Sequence, residues 1–171
     1  PNDKITRPLK DVVKESIFNL IQHSNKININ IKNSQILDLF SGSGSFGIEC
    51  LSREAKKVTF IENYPEAIKI LEKNLNSLKS INNHNIIKEN FFDFFSVGQK
   101  LNLKFNIIFI DPPYKELRIN EIIIKIKEHN LLNKNGVIIL HRHKKDDLKL
   151  SNTFRIIDER LYGISKIYYI N

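Results

Sequence analysis

Five short strand-like runs, Ile36–Phe40, Val58–Ile61, Asn85–Lys88, Ile107–Ile110 and Val137–Leu140, alternate with helical patterns, and this alternation limits the fold more than any other feature. The helical stretches lie at Gly47–Arg53, Glu66–Leu78 and Ile119–His129, with a further short one after Asn90. Runs of this length between turn residues suit strands, whereas apolar residues three and four apart line one face of a helix. Parallel neighbours need a long crossover, usually a helix, so the alternation predicts an α/β fold: a mostly parallel sheet with helices on both faces. The chain ends differently. Phe154–Leu161 and Ile164–Ile170 flank Tyr162-Gly163, the pattern of a hairpin, so an antiparallel pair should close the sheet at one edge.

Ahead of the sheet, Leu9–His23 carries Val12, Val13, Ile17, Leu20 and Ile21 at helical spacing, and Asn25–Ser34 reads as a polar, asparagine-rich linker. With 171 residues the chain suits one domain: helix and linker in 1–34, sheet and helices in 35–171. No apolar run approaches the roughly 20 residues of a membrane span, and the first residues carry no apolar signal core. A single cysteine, Cys50, excludes an internal disulfide and a cysteine-cluster metal site, and it is expected to be a small core residue. A cytoplasmic monomer is the expectation. The chain holds no methionine, even at its start, so further residues are expected before Pro1.

The net charge of +8 favours a polyanionic partner, because neutralising phosphates releases condensed counterions. Abundant lysine, asparagine and isoleucine also follow from an AT-rich coding sequence, so charge supports a nucleic-acid partner without assigning one.

The first strand runs into Ser41-Gly42-Ser43-Gly44-Ser45-Phe46-Gly47, and a helix follows. Gly42, Gly44 and Gly47 form G-x-G-x-x-G between a strand and a helix, the setting this motif requires for nucleotide binding. The second strand ends at Glu62, where a carboxylate can accept hydrogen bonds from ribose hydroxyls. Asp38, within the first strand, separates two cofactors. A dinucleotide needs the helix N-terminus for its pyrophosphate, and an anionic neighbour opposes that. A cofactor bearing an amino group and a sulfonium gains from it. Asp38 also suits a simpler task, capping N–H groups of the loop. After the third strand, Asn90 is placed to bond an adenine edge and Phe91 to lie against the ring. Four phenylalanines within five residues also read as core.

Asp111-Pro112-Pro113-Tyr114 follows the fourth strand directly, at the carboxyl end where open α/β sheets bind ligands. A carboxylate, two stiffening prolines and an aromatic ring can hold a flat, amino-bearing ring still while its nitrogen reacts.

The order of glycine loop, acidic strand end, Asn-Phe and Asp-Pro-Pro-Tyr resembles the class I S-adenosylmethionine-dependent methyltransferases that act on amines. Arg7-Pro8, the stretch from Asp11 to Asn19, and Asp38-Leu39-Phe40-Ser41-Gly42-Ser43-Gly44 resemble the bacterial small-subunit ribosomal RNA guanine-N2 methyltransferase family over nearly the whole chain. The resemblance implies a Rossmann-like, seven-stranded sheet with its last strand antiparallel. It implies transfer of a methyl group to the exocyclic amine of a guanine in small-subunit rRNA, free or in the assembled subunit. Asp38, Phe40, Gly42, Gly44, Glu62, Asn90 and Phe91 would then hold the cofactor, with Asp111, Pro112, Pro113 and Tyr114 catalytic and no metal needed. Two departures stand out: the short basic segment that usually precedes the Arg-Pro signature is absent or cut off, and Arg142 occupies a position where many relatives carry glutamate.

In this reading Asp111 and the Pro112 carbonyl accept N–H bonds from a weakly nucleophilic amine, and Tyr114 stacks on the extruded base. His141-Arg142-His143-Lys144-Lys145 is expected to follow the fifth strand on the same rim. Arg142, His143, Lys144 and Lys145 would meet RNA phosphates there, joined by Arg7, although a solvated charged loop explains the run equally well. Rival readings are an amino-methyltransferase acting on adenine N6 or a protein amide, an NAD-dependent oxidoreductase, and a non-catalytic RNA-binding module. Competition between S-adenosylhomocysteine and NAD separates the first from the second, and failure to bind cofactor leaves the third.

Overall fold

The computed structural model describes residues 11–78, 81–96, 103–150 and 154–171. Seven strands form one sheet: β1 (Gln35–Leu39), β2 (Lys57–Ile61), β3 (His84–Ile87), β4 (Phe105–Ile110), β5 (Leu132–His143), β6 (Ile156–Tyr162) and β7 (Ser165–Ile170). The helices are α1 (Asp11–His23), α2 (Ser45–Ser52), α3 (Pro65–Asn76), α4 (Phe91–Ser96) and α5 (Ile119–Glu128). The strand order is β3-β2-β1-β4-β5-β7-β6. The first five strands run parallel, and β7 lies antiparallel between β5 and β6. The hairpin therefore supplies the sheet edge, as its turn residues predict, with Gly163 at φ 61 making the turn.

Side chains alternate across the sheet and sort into two apolar layers. Ile36, Val58, Phe60, Ile107, Phe109, Val137, Ile139, Ile167 and Tyr169 face α1, α2 and α3. Leu37, Leu39, Ile61, Ile108, Ile110, Ile138, Leu140, Tyr168 and Ile170 face α4 and α5. Burial on both faces explains why the central strands read as continuous apolar runs rather than alternating ones. Cys50 is fully buried in the first layer.

Helix α1 docks through Val13, Ile17, Phe18 and Ile21, and the rings of Phe18, Phe46 and Phe109 stack at centroid distances of 5.2 and 4.0 Å. Val12, counted in the apolar stripe, is 67% exposed, since one helical step turns it away from Val13. The linker is pinned: Ile27 and Ile31 are buried in the same layer. Strand β5 is the largest departure. It spans Leu132–His143 instead of Val137–Leu140, with an irregularity in its pairing to β4 between Phe105 and Ile107.

Candidate active site

The order reverses at β1, whose neighbours are β2 on one side and β4 on the other. A crevice opens beyond the carboxyl ends of strands at such a switch point. Three carboxylates gather there from three adjacent strands: Asp38 within β1, Glu62 after β2 and Asp111 after β4.

The glycine loop is held by these acids. Helix α2 starts after Gly44, which at φ 77 has no side chain to cap the orphan N–H groups. Asp38 Oδ2 accepts the Gly47 N–H at 3.0 Å instead, and Glu62 Oε2 accepts the Gly42 N–H at 2.8 Å. The other oxygen of Glu62 accepts the N–H groups of Asn63 and Tyr64, both at 2.9 Å, so one carboxylate ties the loop to the entry of α3. Asn74 donates to the Ser43 carbonyl and Lys14 to Ser45 Oγ, bringing α3 and α1 to the loop. Glycine is required where space is short: a Cβ on Gly47 would lie 2.3 Å from Phe60 Cε1 and 2.9 Å from Asp38 Oδ2. At Gly42 the same atom would meet nothing within 4 Å, so the loop shows open space above this residue.

Asp38 is 1% exposed. Burial pushes its carboxyl well above the usual range; the Gly47 N–H pulls it down, and the charges of Asp111 and Glu62 push it up. A crevice with three acids favours a cation. The glycine loop and the first turn of α2, the seat of a dinucleotide pyrophosphate, have their Gly42 and Gly47 donors already taken by the chain's own carboxylates. The donor set thus fits a cofactor with an amino group and a sulfonium and opposes NAD.

Phe40 directly follows β1 in the left-handed region at φ 57, an uncommon state for a residue of its size and one that clusters at functional sites. Asn90 Oδ1 accepts the Phe92 N–H at 2.8 Å and caps α4. Phe91 is 3% exposed and packs on Phe92 and Phe95. Its ring packs in the core, the second of the two readings its sequence allowed, because positions 91 and 95 share the inward face of α4. Phe92 is the ring nearer solvent, with the Arg118 guanidinium 4.0 Å above it.

Asp111 continues the ladder past β4 through its N–H to the Leu39 carbonyl. Its Oδ1 lies 2.7 Å from His141 Nδ1, a contact absent from the sequence expectations. The signal was present in the register: Ile110 pairs with Leu140, so the residues following each strand core face each other. The extra length of β5 puts His141 and Arg142 inside the strand rather than in a loop. Arg142 corrects the expectation of a phosphate contact. It is 5% exposed, donates to the Pro113 and Tyr114 carbonyls at 3.4 and 3.2 Å, and pairs with Asp146 at 2.8 Å. The alternation that sends His141 to one face sends Arg142 under the Asp-Pro-Pro-Tyr loop. Tyr114 is flanked edge-on by His143 at 5.4 Å and His141 at 6.0 Å. Lys144 and Lys145 are exposed beyond the strand end. Arg7 lies outside the described residues.

The family described as conserved hypothetical protein 95 matches residues 1–171. The chain belongs to this family. Its relatives include ribosomal RNA small subunit methyltransferase D of Haemophilus influenzae, 35% identical over 95% of this chain and 81% of that protein. The protein of the same name from Buchnera aphidicola is 38% identical over 82% of this chain and 67% of its own length. A solved structure of a conserved hypothetical protein from Streptococcus pyogenes superposes with a TM-score of 0.79 at 29% identity, covering 93% of this chain and 95% of that one. The fold of this family is that of the class I methyltransferases, with strand order and antiparallel β7 as described. No helix among the described residues is long and apolar enough to cross a membrane.

Proposed function

We propose that this chain is a methyltransferase that uses S-adenosylmethionine to methylate the exocyclic N2 amine of a guanine in small-subunit ribosomal RNA, in the cytoplasm. The observation that carries the reading is the seating of Asp38, Glu62 and Asp111 on three adjacent strand ends, with the first two already occupying the glycine-loop donors. The names of the relatives support the substrate class, and the net charge of +8 accords with an RNA partner.

When bound, S-adenosylmethionine supplies an electrophilic methyl group on a positively charged sulfur. Asp38 and Glu62, with Phe40, Gly42, Gly44 and Asn90 around them, would hold it: Asp38 favours its cationic groups, Glu62 suits the ribose hydroxyls, and Gly42 leaves room for close backbone approach. Asp111 accepts an N–H of the guanine amine and raises electron density on a nitrogen whose lone pair is otherwise delocalised into the ring. The Pro112 carbonyl accepts the second N–H. The amine sheds one proton for the methyl it gains, and Asp111 is the base at hand. Tyr114 stacks on the base once it leaves its helix. Fixed acceptors cost no reorganisation as positive charge develops on nitrogen, so orientation and electrostatics supply the rate enhancement.

The test is transfer of labelled methyl from S-adenosylmethionine to unmodified small subunits, naked small-subunit rRNA and duplex DNA, with the product nucleoside identified by mass. N2-methylguanine is expected from particle or rRNA. N6-methyladenine would move the substrate to another base, and transfer to no nucleic acid would overturn the reading.

A further inference from the structure

Of the groups around the site, His141 is the one whose placement the cofactor and substrate contacts leave unexplained. It is 8% exposed, it lies opposite Ile167 of β7, and its Nδ1 stands 2.7 Å from Asp111 Oδ1. Its other ring nitrogen, Nε2, is buried with no hydrogen-bond partner. A buried polar atom without a partner costs free energy, and a leucine of similar volume would avoid that cost. Packing alone therefore does not account for a histidine at this position. The Nδ1 bond does.

A carboxylate only accepts, so a hydrogen bond between these two groups requires the ring to donate from Nδ1 to Oδ1. Asp111 directly follows β4, and its side chain is 22% exposed. With Oδ1 bound to His141, one carboxylate oxygen is fixed and Oδ2 is left as the acceptor directed away from the ring. Arg142, the next residue on the opposite face of β5, holds the Pro113 and Tyr114 carbonyls. Two successive residues of one strand thus grip the loop by its side chain and by its backbone.

We infer that His141 is a positioning residue for methyl transfer: its Nδ1–H orients the Asp111 carboxylate so that Oδ2 accepts the substrate amine. This rests on the function proposed above, but the contact itself is independent of which amine is methylated.

The experiment has a kinetic arm and a spectroscopic arm. His141→Leu removes the donor at similar volume, whereas His141→Asn keeps an N–H donor at the place of Nδ1. The leucine variant is expected to lose about 100-fold in kcat, the scale of a small misplacement of a reacting group, with the KM for RNA and the affinity for S-adenosylhomocysteine unchanged. The asparagine variant is expected to regain most of the loss. A leucine variant near wild-type in kcat, or an asparagine variant as impaired as leucine, overturns the proposal.

The second arm needs no activity. Nitrogen-15 NMR of the wild-type ring should report the proton on Nδ1, moving toward Nε2 in Asp111→Ala. A wild-type ring protonated on Nε2 alone overturns the proposal even if the leucine variant fails to fold. If the wild-type protein methylates no nucleic acid, the function falls while the tautomer still decides the pair. An Nδ1 proton then sustains the positioning contact.

Discussion

Asp38, the penultimate residue of β1, accepts the N–H of Gly47 nine residues later, so a strand carboxylate caps the helix that follows the glycine loop. The arrangement sets a pH dependence. Burial raises the Asp38 carboxyl well above the ordinary range, so the folded chain holds this proton more tightly than the unfolded chain does. Stability from this group is fully present below the unfolded aspartate value and is lost as pH rises through the raised folded value. Asp38→Asn keeps an acceptor for Gly47 and cannot ionise. Thermal melts across pH should therefore show the wild-type chain losing Tm relative to this variant as pH rises above the ordinary aspartate range. The variant should also bind S-adenosylhomocysteine more weakly. A constant difference in Tm with pH would refute the assignment.

Asp111→Ala removes the proposed acceptor without touching the glycine loop. Turnover should fall about 100- to 1000-fold, the usual cost of one electrostatic stabiliser. Calorimetry should find cofactor affinity nearly unchanged. Near-normal turnover would remove Asp111 from the mechanism.

The glycines of the loop should fail in different ways. Gly47→Ala drives a methyl into the Phe60 ring and should destabilise the fold by about 1–3 kcal/mol, as overpacking does. Gly42→Ala meets no neighbour but must hold φ 54, which costs about 1–2 kcal/mol in the left-handed region. The added methyl also enters the open space above the loop. Melting curves and cofactor titration together separate the two: Gly42→Ala should lose more affinity than Gly47→Ala for each degree of Tm.

Arg142→Gln should loosen the Asp-Pro-Pro-Tyr loop. Its guanidinium bonds the Pro113 and Tyr114 carbonyls, and losing one charged hydrogen bond corresponds to about a tenfold change in local opening. Hydrogen exchange of the Glu116 amide, which donates to the Pro113 carbonyl, should speed up by about that factor, while exchange in β1 stays unchanged. Equal acceleration everywhere would indicate general destabilisation instead.

Lys144 and Lys145 test whether the exposed end of β5 meets RNA. Replacing both with alanine should weaken rRNA binding and flatten the plot of log affinity against log salt by about 1.5, close to one counterion for each lysine. An unchanged slope would show that these side chains meet no phosphate.

The primary structure alone determined the sheet, the helices between its strands and the acids at their ends. Asp38, the glycines, Glu62 and Asp111 are found from local pattern because all parallel strands deliver their carboxyl ends to one side, so position along the chain translates into position at the site. Tertiary structure decided the rest. The contact between Asp111 and His141 spans 30 residues and depends on the register of β4 against β5 and on how far β5 runs. Periodicity cannot supply that length, because His141-Arg142-His143 reads as a charged loop until β7 pairs with it and His141 and Arg142 become buried. The same pairing turns Arg142 inward, away from the RNA contact its charge suggests. Phe91 and the linker isoleucines Ile27 and Ile31 were likewise settled by packing. Chemistry that one strand end carries is written locally; chemistry that two strands share exists only once their register is fixed.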